Sequence, residues 1–159
     1  MRVGIGYDVH PLAPGWRLVL GGIEVPFDNG LSGWSDADVL THAIIDALLG
    51  AAALGDIGSH FPPHESQYKD ISSRLLLERV RDELMQHGWR VNNVDATIVA
   101  EQPKLRDFID QMRQQLSRTL GVEVSQVSVK ATTSEKLGFV GRGEGIAACA
   151  VALIESISN

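Results

Sequence analysis

From Arg2 to His10 every second residue is apolar: Val3, Ile5, Tyr7 and Val9 alternate with Arg2, Gly4, Gly6, Asp8 and His10. A period of two is that of a half-buried strand. Asp8 and His10 therefore project from one side of it. A carboxylate and an imidazole so placed form a pincer for a divalent cation, which needs one further ligand and leaves a position open for substrate. His42, on the helix expected next, is the candidate third ligand.

Along the rest of the chain, Pro11 to Gly15 reads as a loop, and Arg17 to Pro26 as two short strands turning at Gly21 and Gly22. Ser35 is the expected opening of a helix, with Asp38 as a shortened capping-box partner and an end near Leu54, before Gly55. Val39, Leu40, Ala43, Ile44, Ala47 and Leu48 make its apolar face, while Asp38, His42 and Asp46 line the opposite stripe. Gly55 to Pro63 is too broken for an element. A second helix is predicted from Ser72 or Ser73 to His87, with Leu75, Leu76, Val80 and Leu84 inward and Gly88 past its end. Val94 to Ala100 is a predicted strand, interrupted by Glu101 to Lys104 before a helix from about Leu105 to Leu120. Ile109, Met112, Leu116 and Leu120 give that helix its packing face, and strands follow at Val127 to Ala131 and Ile146 to Ile157. With no repeat, low-complexity tract or linker, the expectation is one domain over residues 1–159.

Acidic residues outnumber basic ones by 20 to 14, a net charge of −6, and no basic run occurs, which argues against nucleic-acid binding. A small anionic ligand remains compatible, because a metal or a local basic cluster overrides net charge. Cys149 has no second cysteine to pair with and reads as a buried, inert thiol. Its apolar surroundings, Ile146 to Ile154, fall far short of the about 20 residues that span a bilayer. The chain enters a strand at once, with no secretory pattern, so a cytoplasmic protein without membrane attachment is expected.

Two imidazoles and a carboxylate suit zinc with one free position, or iron in a facial triad, although the acid here precedes the first histidine. Asp36 and Asp38 make a poor calcium loop, lacking the later glycine and distal glutamate. A second constellation spans Lys130 to Gly145, where Thr132, Thr133 and Glu135 precede a glycine-dense stretch. Hydroxyls and free amides bind phosphate, Glu135 suits a hard cation, and Arg142 and Lys104 are candidate charge partners; a plain turn is the alternative. No nucleophile with an evident base stands out, so positioning and charge stabilisation are favoured over covalent catalysis.

Gly6-Tyr-Asp-Val-His10, Ser35-Asp-Ala-Asp-Val39 with His42, Asp46 through Gly58, and Lys130 to Gly145 together resemble the 2-C-methyl-D-erythritol 2,4-cyclodiphosphate synthases, with the spacing kept along the whole chain. The resemblance implies an α+β fold, a single domain with a mixed β-sheet and helices packed on one face, assembled as a homotrimer with active sites between subunits. It implies a phosphorus–oxygen lyase of the non-mevalonate isoprenoid pathway, which cyclises 4-diphosphocytidyl-2-C-methyl-D-erythritol 2-phosphate and releases CMP. By the same resemblance Asp8, His10 and His42 are zinc ligands, and Glu135 holds magnesium or manganese with Thr132 and Thr133 near the diphosphate. Ser35, Asp56, Ile57, Gly58 and Phe61 would line the methylerythritol pocket, and Ala100, Pro103, Lys104, Leu105 and Arg106 the cytidine end. Phe139 and Arg142 match positions near the trimer axis, where the family has a cavity for an anion or an isoprenoid diphosphate.

Two positions depart from the pattern. Trp34 stands where the family usually has a histidine assigned to transition-state stabilisation, and an indole offers one N–H and no charge. Pro63 replaces an aspartate that many members carry beside the polyol. Two rival readings follow: a metal-dependent phosphohydrolase using water, and a non-catalytic oligomer that holds cytidine nucleotides or prenyl diphosphates.

Overall fold

The first strand packs through its glycines. In the computed structural model, which describes residues 1–157, β1 spans Arg2–Pro14 and lies directly on the first helix, α1, Val39–Ala52. A Cβ on Gly4 would stand 2.0 Å from the Ala47 carbonyl oxygen, and one on Gly6 would stand 1.9 Å from that of Ala43. Strand and helix backbones therefore touch, with the small residues Ala43, Ala47 and Ala51 along the seam. The face of β1 that meets the core is thus the one carrying Gly4, Gly6, Asp8 and His10. The apolar face looks outward: Val3, Ile5, Tyr7 and Val9 are 68%, 76%, 55% and 42% exposed.

Five strands form a mixed sheet. With β4 at Asn29–Leu31, β5 at Trp89–Val99, β6 at Val127–Thr132 and β7 at Gly145–Ser156, the order is β4-β1-β7-β5-β6, antiparallel except for the β5–β6 pair. The segment expected as a loop at Pro11 to Gly15 instead continues β1 to Pro14, because Leu12, Ala13 and Pro14 pair with β4 at the sheet edge, where a missing proline N–H costs nothing. Strands β2, Leu18–Leu20, and β3, Ile23–Val25, form the expected hairpin at Gly21 and Gly22.

Helix α1 starts four residues later than Ser35, because Ala37 has a positive φ of 55° and Asp38 is itself the N-cap. It ends at Ala52, two residues before the expected Leu54, with Ala53 in the left-handed region. The Asp38 carboxylate accepts from the Thr41 N–H at 3.0 Å and Thr41 Oγ1 at 2.7 Å, and from the hairpin amides of Gly21 at 2.9 Å and Gly22 at 2.7 Å. Burial first, then the nearby Asp36 charge, raises the Asp38 carboxyl, against the pull of these donors. Asp38→Ala strands the buried amides of Gly21 and Thr41 and the half-buried one of Gly22, and is expected to cost about 2 to 3 kcal/mol, read from the denaturation midpoint at fixed protein concentration.

The expected amphipathic division of α1 does not hold. Asp38 and His42 are as buried as the leucines, since the sheet covers one side and α3, Ser73–Gln86, the other. In α3 itself Leu76, Val80 and Leu84 face inward as predicted, but Leu75 is exposed and Leu77 takes its place, completing the arc at spacings of three and four. The segment from Gly55 to Pro63 holds a short helix, α2, Ile57–His60, capped by Asp56. Met112, Leu116 and Leu120 anchor α4, Ile109–Leu120, and a further short helix, α5, spans Gly138–Gly141.

Cys149 is exposed, not buried. In β7 Ala148, Ala150 and Ala152 are buried with α1, so alternation turns Cys149 and Val151 to the open face, opposite Tyr7 and Ile5 of β1. No described helix is long and apolar enough to cross a membrane.

Candidate metal centre and its two cavities

Because Gly6 lets α1 sit against β1, His42 in the first turn of α1 reaches the end of the strand where Asp8 and His10 stand. Asp8 Oδ2 lies 3.0 Å from His10 Nε2 and 3.0 Å from His42 Nδ1, and the two ring nitrogens are 3.1 Å apart. The far side of each ring faces a fixed partner. His10 Nδ1 is 3.0 Å from the Ser32 carbonyl oxygen, to which it must donate. His42 Nε2 is 2.8 Å from Ser73 Oγ. With their protons turned outward, neutral rings present two lone pairs to each other and to a carboxylate oxygen.

That arrangement fits a cation. A tetrahedral zinc ion at about 2.0 to 2.1 Å from nitrogen and oxygen ligands keeps its donors roughly 3.3 Å apart, close to the spacing observed. Among the described residues this is the one group of three or more histidine, cysteine, aspartate or glutamate side chains able to share an ion. Burial would raise the Asp8 carboxyl, but without an ion its hydrogen bonds to the His10 and His42 side chains outweigh burial and hold the group well below the usual carboxylate range. His10 is raised: burial opposes its charge and Asp8 more than compensates.

The three side chains border a cavity of about 270 Å³. Trp34, Ser35, Ile57, Gly58 and Phe61 line it, with Pro63, Tyr68 and Leu76. Asp56 is not on this wall; its Oδ1 caps α2, accepting from Ser59 N–H and Oγ at 2.8 Å each. The Asp46 carboxylate holds α2 from behind through the Ile57 N–H at 2.8 Å. Trp34 spends its single donor on the Glu65 carbonyl, 3.0 Å away, and meets the His64 ring edge-on at 5.4 Å. The indole is therefore wall, and its N–H is not free for a ligand.

A second cavity, of about 360 Å³, is lined by Ala100, Pro103, Lys104, Leu105, Arg106, Thr132 and Thr133, with Ile109 and Ala131. Strand register puts both cavities at one end of the sheet: Ala147 of β7 pairs with Val9 of β1 on one side and Val99 of β5 on the other, and Val99 pairs with Thr132 of β6.

Beyond Thr132 the chain turns through Glu135 and Lys136, both at positive φ, and Thr133 Oγ1 donates to the Glu135 carboxylate at 3.3 Å. Arg142 is not paired with Glu135; its guanidinium binds Glu144 through two contacts, at 2.8 and 3.0 Å. Phe139, on α5, is partly exposed. Glu101, which the sequence did not single out, fixes this turn by accepting from the Ser134 and Lys136 amides at 3.0 Å each. The Lys136 N–H first, then Ser134, lowers the Glu101 carboxyl, so its contribution to the turn is complete above the ordinary glutamate range and is lost as pH falls through the depressed value. The Ser134 and Lys136 amide resonances are expected to titrate together below the usual glutamate value, and to lose that step in Glu101→Gln.

The sequence pattern of the YgbB family matches residues 1–155. The chain belongs to the YgbB family. A relative from Dehalococcoides mccartyi strain CBDB1, a 2-C-methyl-D-erythritol 2,4-cyclodiphosphate synthase, is 63% identical over 155 residues, 98% of this chain and 99% of that protein. Among solved structures, the IspF CDP complex of Plasmodium falciparum is 31% identical with a TM-score of 0.86, covering 99% of this chain and 97% of that one. The bifunctional IspDF of Campylobacter jejuni is 39% identical with a TM-score of 0.94; the match takes in 98% of this chain and 42% of the bifunctional one. This YgbB-family member is thus an enzyme with the α+β fold and mixed sheet of those structures.

The site's inner supports were not visible beforehand. Ser32 acts through a carbonyl, which leaves no trace in side-chain identity, and Ser73 lies 31 residues from the histidine it touches.

Proposed function

We propose that this enzyme converts 4-diphosphocytidyl-2-C-methyl-D-erythritol 2-phosphate into 2-C-methyl-D-erythritol 2,4-cyclodiphosphate and CMP, in the non-mevalonate route to isoprenoid precursors. The observation that carries the reading is the cluster of three candidate ligand atoms, all within 4.8 Å of one another, at the same sheet end as a basic, hydroxyl-bearing cavity. A cluster that size suits a diphosphate flanked by a polyol on one side and a nucleoside on the other.

In this scheme an oxygen of the 2-phosphate attacks the β-phosphorus in line. The bond from that phosphorus to the α–β bridging oxygen breaks, and CMP leaves with the oxygen and its electron pair. Asp8, His10 and His42 would hold zinc, and Glu135 magnesium or manganese. The bound cations supply Lewis-acid stabilisation of charge on the diphosphate oxygens. Ser35, Ile57, Gly58, Phe61 and Trp34 enclose the methylerythritol and exclude water, with Asp56 acting on this wall only by capping α2. Ala100 to Arg106 take the cytidine monophosphate end, where Lys104 and Arg106 meet its charge. Thr132 and Thr133 orient the diphosphate. No residue is needed as nucleophile, and the protein acts mainly by folding a flexible substrate into its ring-closing pose, which is worth roughly 7 to 11 kcal/mol when geometry is right.

The open sheet face supports the homotrimer. Val3, Ile5, Tyr7, Val9 and Val151 form one contiguous exposed apolar surface, the kind that marks a protein interface. Copies joined there would set active sites between subunits, with Phe139 and Arg142 towards an axial cavity for an anion or an isoprenoid diphosphate. The synthase domain would take in all of residues 1–159 and work in the cytoplasm, apart from nucleic acid and membrane. The test is product analysis by ³¹P NMR: a cyclic diphosphate and stoichiometric CMP are expected, whereas a linear phosphate would mean hydrolysis and no turnover a binding protein.

A further inference from the structure

His42 is held from behind by a chain of two residues. Ser73, the first residue of α3, is fully buried. Its hydroxyl donates to Asp36 Oδ1 in a short contact, so its oxygen is free to accept the His42 Nε2–H at 2.8 Å. Asp36 is itself fixed: its Oδ2 accepts the Ser73 N–H at 2.8 Å, its Oδ1 accepts the Asp38 N–H at 3.2 Å, and its own N–H donates to the Ile71 carbonyl at 3.0 Å. Nothing in the reaction scheme uses Asp36 or Ser73. Ser35 Oγ, 3.2 Å from the same ring nitrogen, is a weaker second acceptor, since it also takes the Ala37 N–H.

We infer that Asp36, acting through Ser73, is a positioning residue that fixes the Nε2–H tautomer of His42, aims its Nδ1 lone pair at the cation position, and so sets the affinity of the centre for its metal. The inference rests on the reading of Asp8, His10 and His42 as ligands. A carboxylate behind a metal-bound imidazole stabilises the tautomer, and the positive charge drawn onto the ring, that ligation requires. Here a serine hydroxyl carries that polarisation across a gap that Asp36 does not span directly. The route also ties the centre to the first turn of α3, so the helix that covers α1 supports the ligand as well as the core.

The experiment is Co²⁺ and Zn²⁺ binding to the full chain by chelator competition, with ¹⁵N NMR of the His42 ring. Ser73→Ala and Asp36→Asn are each expected to weaken binding by about 10- to 100-fold and to shift His42 towards a mixture of tautomers. Ser73→Thr, which keeps the hydroxyl, should restore both. If the unaltered protein binds neither ion, the ligand reading itself fails. If it binds them and Ser73→Ala binds as tightly with the His42 tautomer unchanged, the relay is overturned. Should Asp36→Asn fail to fold, the Ser73 pair still decides, because it leaves the backbone contacts of Asp36 in place.

Discussion

Gly6→Ala is expected to destabilise the protein by more than about 3 kcal/mol and to remove metal binding with it. Overpacking a core commonly costs about 1 to 3 kcal/mol when side chains can give way. Here the added methyl would lie 1.9 Å from a helix carbonyl oxygen and 2.7 Å from the Ala47 nitrogen, so the backbone of α1 must move. A helix displaced from β1 carries His42 away from Asp8 and His10. The check is a denaturation midpoint together with the metal content of whatever protein still folds. Gly50→Ala in the same helix is the control, because a Cβ there meets only the Ile5 carbonyl oxygen at 3.9 Å and should be nearly neutral.

His42→Ala should abolish stoichiometric zinc and lower turnover by at least about a thousandfold, since Lewis-acid stabilisation worth several kcal/mol would be lost. The fold should survive, as His42 gives one imidazole to the core while the leucines and isoleucines around it remain. Elemental analysis, near-ultraviolet circular dichroism and turnover with the native substrate separate these effects. A folded, metal-free variant that still cyclises substrate at the original rate would overturn the role assigned to Asp8, His10 and His42. The same measurement on His10→Ala should give the same answer, because each imidazole supplies one corner of the triangle.

Much of the fold follows from local pattern. Alternation placed β1 and β5, β-branched residues placed β7, the glycine pair placed the β2–β3 hairpin, and apolar spacing placed α3 and α4, each to within a few residues except for the long ends of β1 and β5. Alternation alone did not say which face of β1 turns inward: Val3, Ile5, Tyr7 and Val9 are apolar yet exposed, because the inward face is the one that lets a helix backbone approach. The same inversion exposes Cys149. Ser35 looked like a cap, but the hairpin amides recruit Asp38 for that task, and a contact between segments so far apart leaves no local sign.

The sequence by itself determined which residues could serve as ligands and their spacing: Asp8 and His10 share a strand face whatever the strand packs on, because side chains alternate. Residue types also made the Lys130 to Gly145 stretch a candidate for phosphate. Only the tertiary structure decided that His42 would meet them, that Ser32, Ser73 and Asp36 would fix the ring tautomers, and that the second cavity would open at the same sheet end. Those outcomes depend on strand register and on backbone contact at Gly4 and Gly6, which arise between segments distant in the chain and cannot be read from either segment alone.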